Sequence, residues 1–439
     1  KFVAQFDDCI KTRPSREHLR TCVNGQLGPL ERKSIEPIAL EAKVPPRSLQ
    51  EFLSIHRWDE AAVGRRLRGL VRRDHAEANA IGVIDETSFA KKGAKTAGVQ
   101  PQHCGATGKT ENCVVTVHLG YVAGDFQTLL DGDLYLPEKS WAEDRVRCRA
   151  AGIPEAVCYR PKWQIALDLL ERALGEGVAL KWVTADEDYG RVSAFRDKVA
   201  QKELHYVVEV PPSITGWTRR PKVEPAGTVT PAGRRLTQPR LARKQRQPRP
   251  LLGLLPPGGP AWQAYHIKDT DKGAVVWKVR ETRFYSHREG LPGPRERLLV
   301  AREALTGEVK CFLSNAPPEV PLKNLLCVAF SRCSIERLFE DGKGEVGLDH
   351  FEVRCYRSLM RHLVLTTLSL YFLSEQVQRL GGKKGWVDAL PSKGRGGGAV
   401  GSGHAARGTN PRAARCGAED RLLAGERRQG RALPCQDQT

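Results

Sequence analysis

Two short stretches, AIGVID at residues 80–85 and LKWVTAD at residues 180–186, decide the fold that the sequence predicts. Each is an apolar, β-prone run that ends on an aspartate, which is typical of a buried strand. Further strands are predicted at 113–122, 126–136 and 205–210, and helices at 162–174 and 192–202. The order of three strands, helix, strand, helix, strand predicts an α/β fold, a mixed sheet with helices on both faces.

The regions around this core differ from it in composition. Short helices predicted at 34–42 and 47–55 form either a DNA-reading helix-turn-helix or an ordinary helical hairpin. Residues 219–250 hold ten Lys or Arg, one Glu and several prolines, which predicts an exposed basic loop. The chain is therefore divided into a helical N-terminal region (1–78), the first part of the core (79–212), the basic loop with a β-rich insertion (213–315), the second part of the core (316–385) and a tail (386–439).

The tail is rich in Gly, Ala and Arg and has no aromatic residue beyond position 390. Such a segment buries too little apolar surface to offset the entropy of ordering, so we expect disorder. A translated wrong reading frame would have the same composition, so a frameshift near residue 390 is a second interpretation. The chain begins at Lys1 and its only methionine is Met360, from which we expect the natural start to lie upstream.

Composition limits the function classes. Of 439 residues, 70 are Lys or Arg and 51 are Asp or Glu, giving a formal net charge of +19. This balance predicts a polyanionic partner, with nucleic acid as the first candidate. No apolar run reaches the roughly 18 residues of a membrane span. The twelve cysteines form no C-x-x-C pair, which is typical of reduced thiols in the cytoplasm.

The two strand-end aspartates are the first candidates for chemistry. If their strands are neighbours, the Asp85 and Asp186 carboxylates lie close together and repel each other unless a cation lies between them. Oxygen ligands without His or Cys favour Mg²⁺ or Mn²⁺. The alternative is that both aspartates merely cap the turns that follow them.

A second motif lies at residues 332–343, in the second part of the predicted core. Residues 332–336 read RCSIE and residues 336–343 read ERLFEDGK, which gives R-x3-E-x6-K. This resembles the Y-x2-R-x3-E-x6-K signature of insertion-sequence DDE transposases that carry a β-rich insertion, with Ala329 in place of the tyrosine. The stretches at 31–39, 83–89, 183–190 and 347–354 also resemble that family.

The resemblance implies a ribonuclease-H-like catalytic core. It implies Asp85, Asp186 and Glu336 as catalytic metal ligands for two Mg²⁺ (or Mn²⁺) ions per active site, with Arg332 and Lys343 on DNA phosphates. The implied partners are double-stranded DNA, as terminal inverted repeats and as target, and further copies of the chain in a homodimer or larger assembly. A place in the bacterial cytoplasm at the nucleoid, and no membrane, follows from the same resemblance.

Three functions remain open from the sequence. The first is a DNA transposase that cuts the ends of its element and joins them to target DNA. The second is a DNA-binding remnant without catalysis, suggested by Ala329 and the unusual tail. The third is a nuclease of the same fold that does not transpose. Trp217 and Trp262, which flank the basic loop, either stack on bases or pack within the insertion.

Overall fold

The centre of the molecule is a mixed β-sheet built on β1 (Ile81–Ala90). The predicted end of this strand at Asp85 is wrong, because the chain continues through Glu86, Thr87 and Ser88 in antiparallel pairing with β3 (Lys109–Ala123). On its other side β1 pairs in parallel with β5 (Trp182–Ala185). Asp85 is therefore a residue of a rigid strand and not of a loop.

The other strands of this half follow the predicted pattern closely. β4 (Phe126–Leu134) pairs with β3, and β6 (His205–Val210) runs parallel to β5. The polar edge strand β2 (Gln100–Cys104), also paired with β3, was not predicted. The spatial order is thus β4, β3, β1, β5, β6, with the last three parallel.

Helices cover both faces of this sheet. One face packs against α6 (Lys162–Gly175) and α8 (Ser193–Gln201), which confirms the two helices predicted between the strands. In the chain, α5 (Arg145–Ala150) precedes α6, and the short α7 (Glu187–Gly190) precedes α8. The opposite face packs against α10 (Cys333–Val346) through Ile335 and Leu338.

The sheet continues beyond β6 into the second half of the chain. β14 (Val309–Ser314) pairs antiparallel with β6, so the later strands extend the same sheet. The further strands of this sheet are β7 (Thr215–Trp217), β10 (Arg249–Pro250), β11 (Gln263–Thr270), β12 (Gly273–Arg288) and β13 (Leu291–Glu303). The short strands β8 (Val223–Glu224) and β9 (Arg240–Leu241) pair with each other in a separate two-stranded sheet. Only strands of two residues interrupt the predicted basic loop at 219–250.

The first and last helices pack on one another and on the sheet. The N-terminal helices, after a 3₁₀ turn at Val3–Cys9, are α1 (Arg13–Leu27), α2 (Ile35–Glu41), α3 (Pro46–Ser54) and α4 (Glu60–Asp74). The C-terminal helices besides α10 are α9 (Leu322–Phe330) and α11 (Tyr356–Arg379). Leu365, Leu368 and Tyr371 of α11 are buried in the same core as α1 and α4. Within the part of the chain described, no helix is both long and apolar enough to cross a membrane.

The computed structural model describes residues 1–255, 261–270 and 273–380, which belong to one compact unit. The five-part division of the chain stays a prediction. The disorder and the frameshift expected for the tail concern positions outside the described residues.

Candidate functional site

Asp85 and Asp186 lie side by side. β1 and β5 pair in parallel with Ile84 opposite Ala185, so Asp85, within β1, and Asp186, the first residue after β5, stand at the same level. Residues in register on parallel strands project to the same face of a sheet. Asp186 also caps α7, because its Oδ1 accepts hydrogen bonds from the main-chain N–H groups of Asp188 (3.0 Å) and Tyr189 (3.4 Å). The capping alternative therefore describes one oxygen of Asp186 but not the pairing of the two acids.

The surroundings of the pair disfavour two negative charges. Burial, then the charge of Asp186, raises the pKa of Asp85 to about 7, against the opposing effect of Arg332. Burial, then the charges of Glu86 and Asp188, raises the pKa of Asp186 to about 6. Two neighbouring carboxyl groups with raised pKa values gain most from a cation placed between them.

Arg332 supplies one positive charge here. It stands immediately before α10, and each nitrogen of its guanidinium faces a different carboxylate. Nη1 lies 3.3 Å from Asp85 Oδ2, Nη2 lies 2.9 Å from Glu336 Oε1 and Nε lies 3.8 Å from Glu209 Oε2. The i, i+4 pair of Arg332 and Glu336 is thus part of a larger ionic network that reaches the strand acids.

Glu336 is linked to Asp85 through their shared contact with Arg332. Its side chain is 49% exposed, whereas that of Asp85 is 13% exposed. Among residues 1–255, 261–270 and 273–380, no three His, Cys, Asp or Glu side chains are grouped closely enough to hold a metal ion. The two adjacent aspartates nevertheless fit a divalent cation in donor type and charge.

Lys343 lies at the other end of α10, away from the acids. Its Nζ is 5.9 Å from the centre of the Phe89 ring, at the far end of β1. Burial lowers the pKa of its ammonium group, and Asp349 partly restores it. Ala329, at the signature's tyrosine position, is buried in α9 within the apolar cluster beneath that helix.

Two charged residues of this network were missed from the sequence. Val183 of β5 pairs with Tyr206 of β6, and continuing that register places Glu209 at the level of Asp186. Glu209 also binds Lys310 of β14, with Oε1 3.2 Å from Nζ. The available signal was the position of Glu209 near the end of the predicted strand at 205–210.

Glu86 lies beside Asp85 but serves the opposite face of the strand. Its Oε2 accepts a hydrogen bond from the Tyr189 hydroxyl (2.8 Å), and Oε1 pairs with Lys162. The alternation of side chains along β1 therefore separates the two neighbouring acids.

The stretches 31–39 and 347–354 meet in space behind α10. The Lys33 ammonium donates to the carbonyl oxygens of Gln26 (2.8 Å), Gly28 (2.8 Å) and Glu345 (2.6 Å), the last of which lies in the final turn of α10. The Lys33 main-chain N–H donates to His350 Nδ1 at 2.9 Å. These contacts fasten the N-terminal helices to the helix that carries Glu336.

The aromatic residues beside the basic loop differ in their surroundings. Trp217 is buried and donates its Nε1–H to the Arg246 carbonyl at 2.7 Å, so it packs within the fold. Trp262 is partly buried, with the guanidinium carbons of Arg280 and Arg302 each 5.5 Å from its ring centre.

Comparison with known proteins shows which family the chain resembles. A family model described as DDE superfamily endonuclease matches residues 5–271, more than half of the chain. That match includes Asp85 and Asp186 and ends before Glu336. The probable transposase for insertion sequence element IS701 of Microchaete diplosiphon is 29% identical over 189 residues, which are 42% of this chain and 46% of that protein. The match thus spans less than half the length of this relative.

Proposed function

Because this chain belongs to the DDE superfamily of endonucleases, we propose that it is a DNA transposase. In this proposal it cuts the ends of an insertion sequence and joins them to target DNA by metal-dependent phosphoryl transfer. The observation that carries the proposal is the in-register pair of partly buried aspartates, Asp85 and Asp186, beneath the helix α10, which carries Glu336 and is preceded directly by Arg332.

The topology supports a ribonuclease-H-like core. Three parallel strands, β1, β5 and β6, lie beside two antiparallel strands, β3 and β4, and helices cover both faces. In such sheets a functional site forms where parallel strands end together. The strands β11–β14 would be an insertion before α10, and they extend the sheet from its β6 edge.

Asp85, Asp186 and Glu336 are the residues that would hold divalent metal, which members of this superfamily generally use. Two bound Mg²⁺ or Mn²⁺ ions would stabilise charge on the attacking and leaving oxygens of a phosphodiester. Arg332 and Lys343, on the same helix, would bind phosphate oxygens of the DNA. The assignment of Glu336, Arg332 and Lys343 is supported by the R-x3-E-x6-K pattern and by the contacts of Arg332.

The reaction needs no external energy source. Water would cut the element's ends, and the freed 3′-hydroxyl would attack a target phosphodiester, so one phosphodiester bond replaces another. The helices α2 and α3 would read terminal inverted repeats, and the basic residues at 219–250 would bind backbone in a salt-dependent way. Such a reaction joins two DNA ends, which suits a homodimer or a larger assembly.

A DNA-binding protein without catalysis is the second candidate. It is favoured by Arg332, whose guanidinium lies between Asp85 and Glu336, and by Ala329 at the position of the signature's tyrosine. In that case the cationic surface would bind DNA although the acids hold no metal.

The deciding experiment is cleavage of DNA that carries the element's own terminal repeats, with Mg²⁺ and with EDTA. We expect Mg²⁺-dependent cuts by the natural protein, loss of cutting in Asp85→Asn and Asp186→Asn, and unchanged DNA binding in a gel-shift assay. Asp341→Asn is the matched control, because Asp341 pairs with Arg337 on the outer side of α10. Binding without cutting by the natural protein would favour the second candidate. Cutting without joining of pre-cut ends would indicate a nuclease that does not transpose.

A further inference from the structure

A third acid lies in the same row as the two aspartates. The parallel register of β5 and β6 places Glu209 beside Asp186, as the register of β1 and β5 places Asp85 beside it. On the far side, Glu209 pairs with Phe312 of β14. Continued to this level, the register places Asp85 of β1, Asp186 just after β5 and Glu209 of β6 in one row on the same face of the sheet.

Glu209 lies between two cations. Its side chain is 17% exposed, with Oε1 3.2 Å from Lys310 Nζ and Oε2 3.8 Å from Arg332 Nε. Lys310 comes from β14 and Arg332 from the start of α10. Glu209 therefore links the sheet to the start of the helix that carries Glu336.

The three carboxylates around Arg332 are not equivalent. Asp85 and Glu336 belong to the proposed metal-binding set, and each contacts an Nη group of Arg332. A divalent cation on those two acids would compete with Arg332 for their oxygens and repel its positive charge. Glu209, which lies outside the set and faces Nε, would keep its contact.

We propose that Glu209 is a positioning residue that keeps the Arg332 guanidinium at the edge of the acid row while its two Nη groups turn to a DNA phosphate. This inference rests on the proposed function. A guanidinium held through Nε presents its Nη groups in a fixed fork, which suits bidentate contact with phosphate. Lys310 neutralises Glu209 and limits the motion of its carboxylate.

The test compares single-turnover cleavage of end DNA by the full chain and its Glu209→Gln variant. Loss of a residue that orients a reacting group costs roughly 10- to 100-fold, and we expect a rate decrease of that size. The dissociation constant for DNA and the Mg²⁺ concentration for half-maximal rate should stay within about threefold. Glu209→Asp should recover part of the rate. Glu308→Gln is the matched control, because Glu308 also faces Lys310, at 3.8 Å, but is 56% exposed.

A double variant separates positioning from a general structural role. In an Arg332→Ala background, Glu209→Gln should cause no further decrease, because the residue that it positions is gone. An equal decrease in both backgrounds would overturn the inference, as would a rate within twofold of the natural protein. A tenfold rise in the Mg²⁺ requirement would also overturn it and make Glu209 a metal ligand.

A crystal structure of the Glu209→Gln variant decides the point without cleavage. With Mn²⁺ soaked into crystals of both proteins to engage Asp85 and Glu336, we expect the Arg332 guanidinium to stay beside Glu209 in the natural protein and to move away from residue 209 in the variant. The same guanidinium position in both would contradict the inference. If the natural protein fails to cut DNA with Mg²⁺, the proposed function fails. If it cuts and Glu209→Gln cuts equally well, only the positioning role fails.

Discussion

Replacing Asp85 by Asn should stabilise the metal-free protein while it removes activity. The Asp85 carboxylate is partly buried beside Asp186, and its pKa of about 7 compares with 3.8 for an ordinary aspartate. Because a tenfold change in an ionisation constant is worth about 1.4 kcal/mol, ionised Asp85 costs the fold at most about 4 kcal/mol. Asn avoids that cost, although Arg332 loses one of its carboxylate partners. We therefore expect the free energy of unfolding of Asp85→Asn to exceed that of the natural protein by about 2 to 4 kcal/mol at pH 8.

The sign of the pH dependence follows from the raised pKa. The folded state binds a proton at Asp85 more tightly than the unfolded state does, so the natural protein loses stability as the pH rises between about 4 and 7. The advantage of Asp85→Asn should be fully present at pH 8 and below about 1 kcal/mol at pH 4.

Thermal unfolding in EDTA at pH 8 and at pH 4 measures this difference. For a chain of this length the expected rise in Tm at pH 8 is roughly 3 to 5 °C. Asp341→Asn, which removes a surface pair with Arg337, should change the stability by less than about 0.5 kcal/mol. Added Mg²⁺ should stabilise the natural protein and not Asp85→Asn. Equal destabilisation of Asp85→Asn at both pH values would refute the reasoning, because Asp85 would then support the fold as a partner of Arg332.

Three further substitutions test how the site is supported. A Cβ on Gly190 would lie 1.9 Å from a main-chain oxygen of β6. Gly190→Ala should therefore lower the free energy of unfolding, measured in urea, by roughly 1–3 kcal/mol, and it should slow DNA cleavage. Gly175→Ala, where the added carbon meets nothing within 4 Å, should be harmless, and equal losses in the two variants would contradict the packing argument. Lys33→Met removes the donor to three carbonyl groups and should cost about 1–3 kcal/mol. Hydrogen exchange of the main-chain amides in the last turn of α10 should become faster. Unchanged exchange there would mean that Lys33 does not stabilise the end of this helix. Arg196→Met removes the 2.8 Å ion pair of Glu296, whose side chain is 0% exposed. We expect the free energy of unfolding in urea to fall by about 3–5 kcal/mol. A decrease below about 1 kcal/mol would mean that the fold does not need this ion pair.

The parts of the fold predicted from sequence are those with strong local patterns. The apolar runs before Asp186 and around HYVVEV became β5 and β6. The polar continuation of β1 through Glu86, Thr87 and Ser88 was missed, because its pairing with β3 and not its own composition keeps it in the sheet. The edge strand β2, QPQHC, was missed for the same reason, since an edge strand needs little apolar surface.

The site was predictable where the sequence itself marks strand ends, and not where it depends on distant pairing. Asp85 and Asp186 were candidates because both follow short apolar runs, and their proximity was predicted on the condition that the two strands are neighbours. The position of Glu209 depends on the alignment of β5 with β6, and that of Lys310 on the pairing of β14 with β6. The contacts of Arg332 with Asp85 and Glu209 could not be predicted from the sequence either, because an i, i+4 spacing predicts only the contact of Arg332 with Glu336.

The most direct measurement is anomalous diffraction from crystals of the full chain soaked in Mn²⁺. We predict a peak at about 2.1 Å from carboxylate oxygens of both Asp85 and Asp186, with Arg332 displaced from Asp85 and Glu336 brought to the ion. If crystals soaked in saturating Mn²⁺ show no anomalous peak between the two aspartates, and Arg332 still contacts Asp85, the metal-dependent chemistry proposed for this site is contradicted.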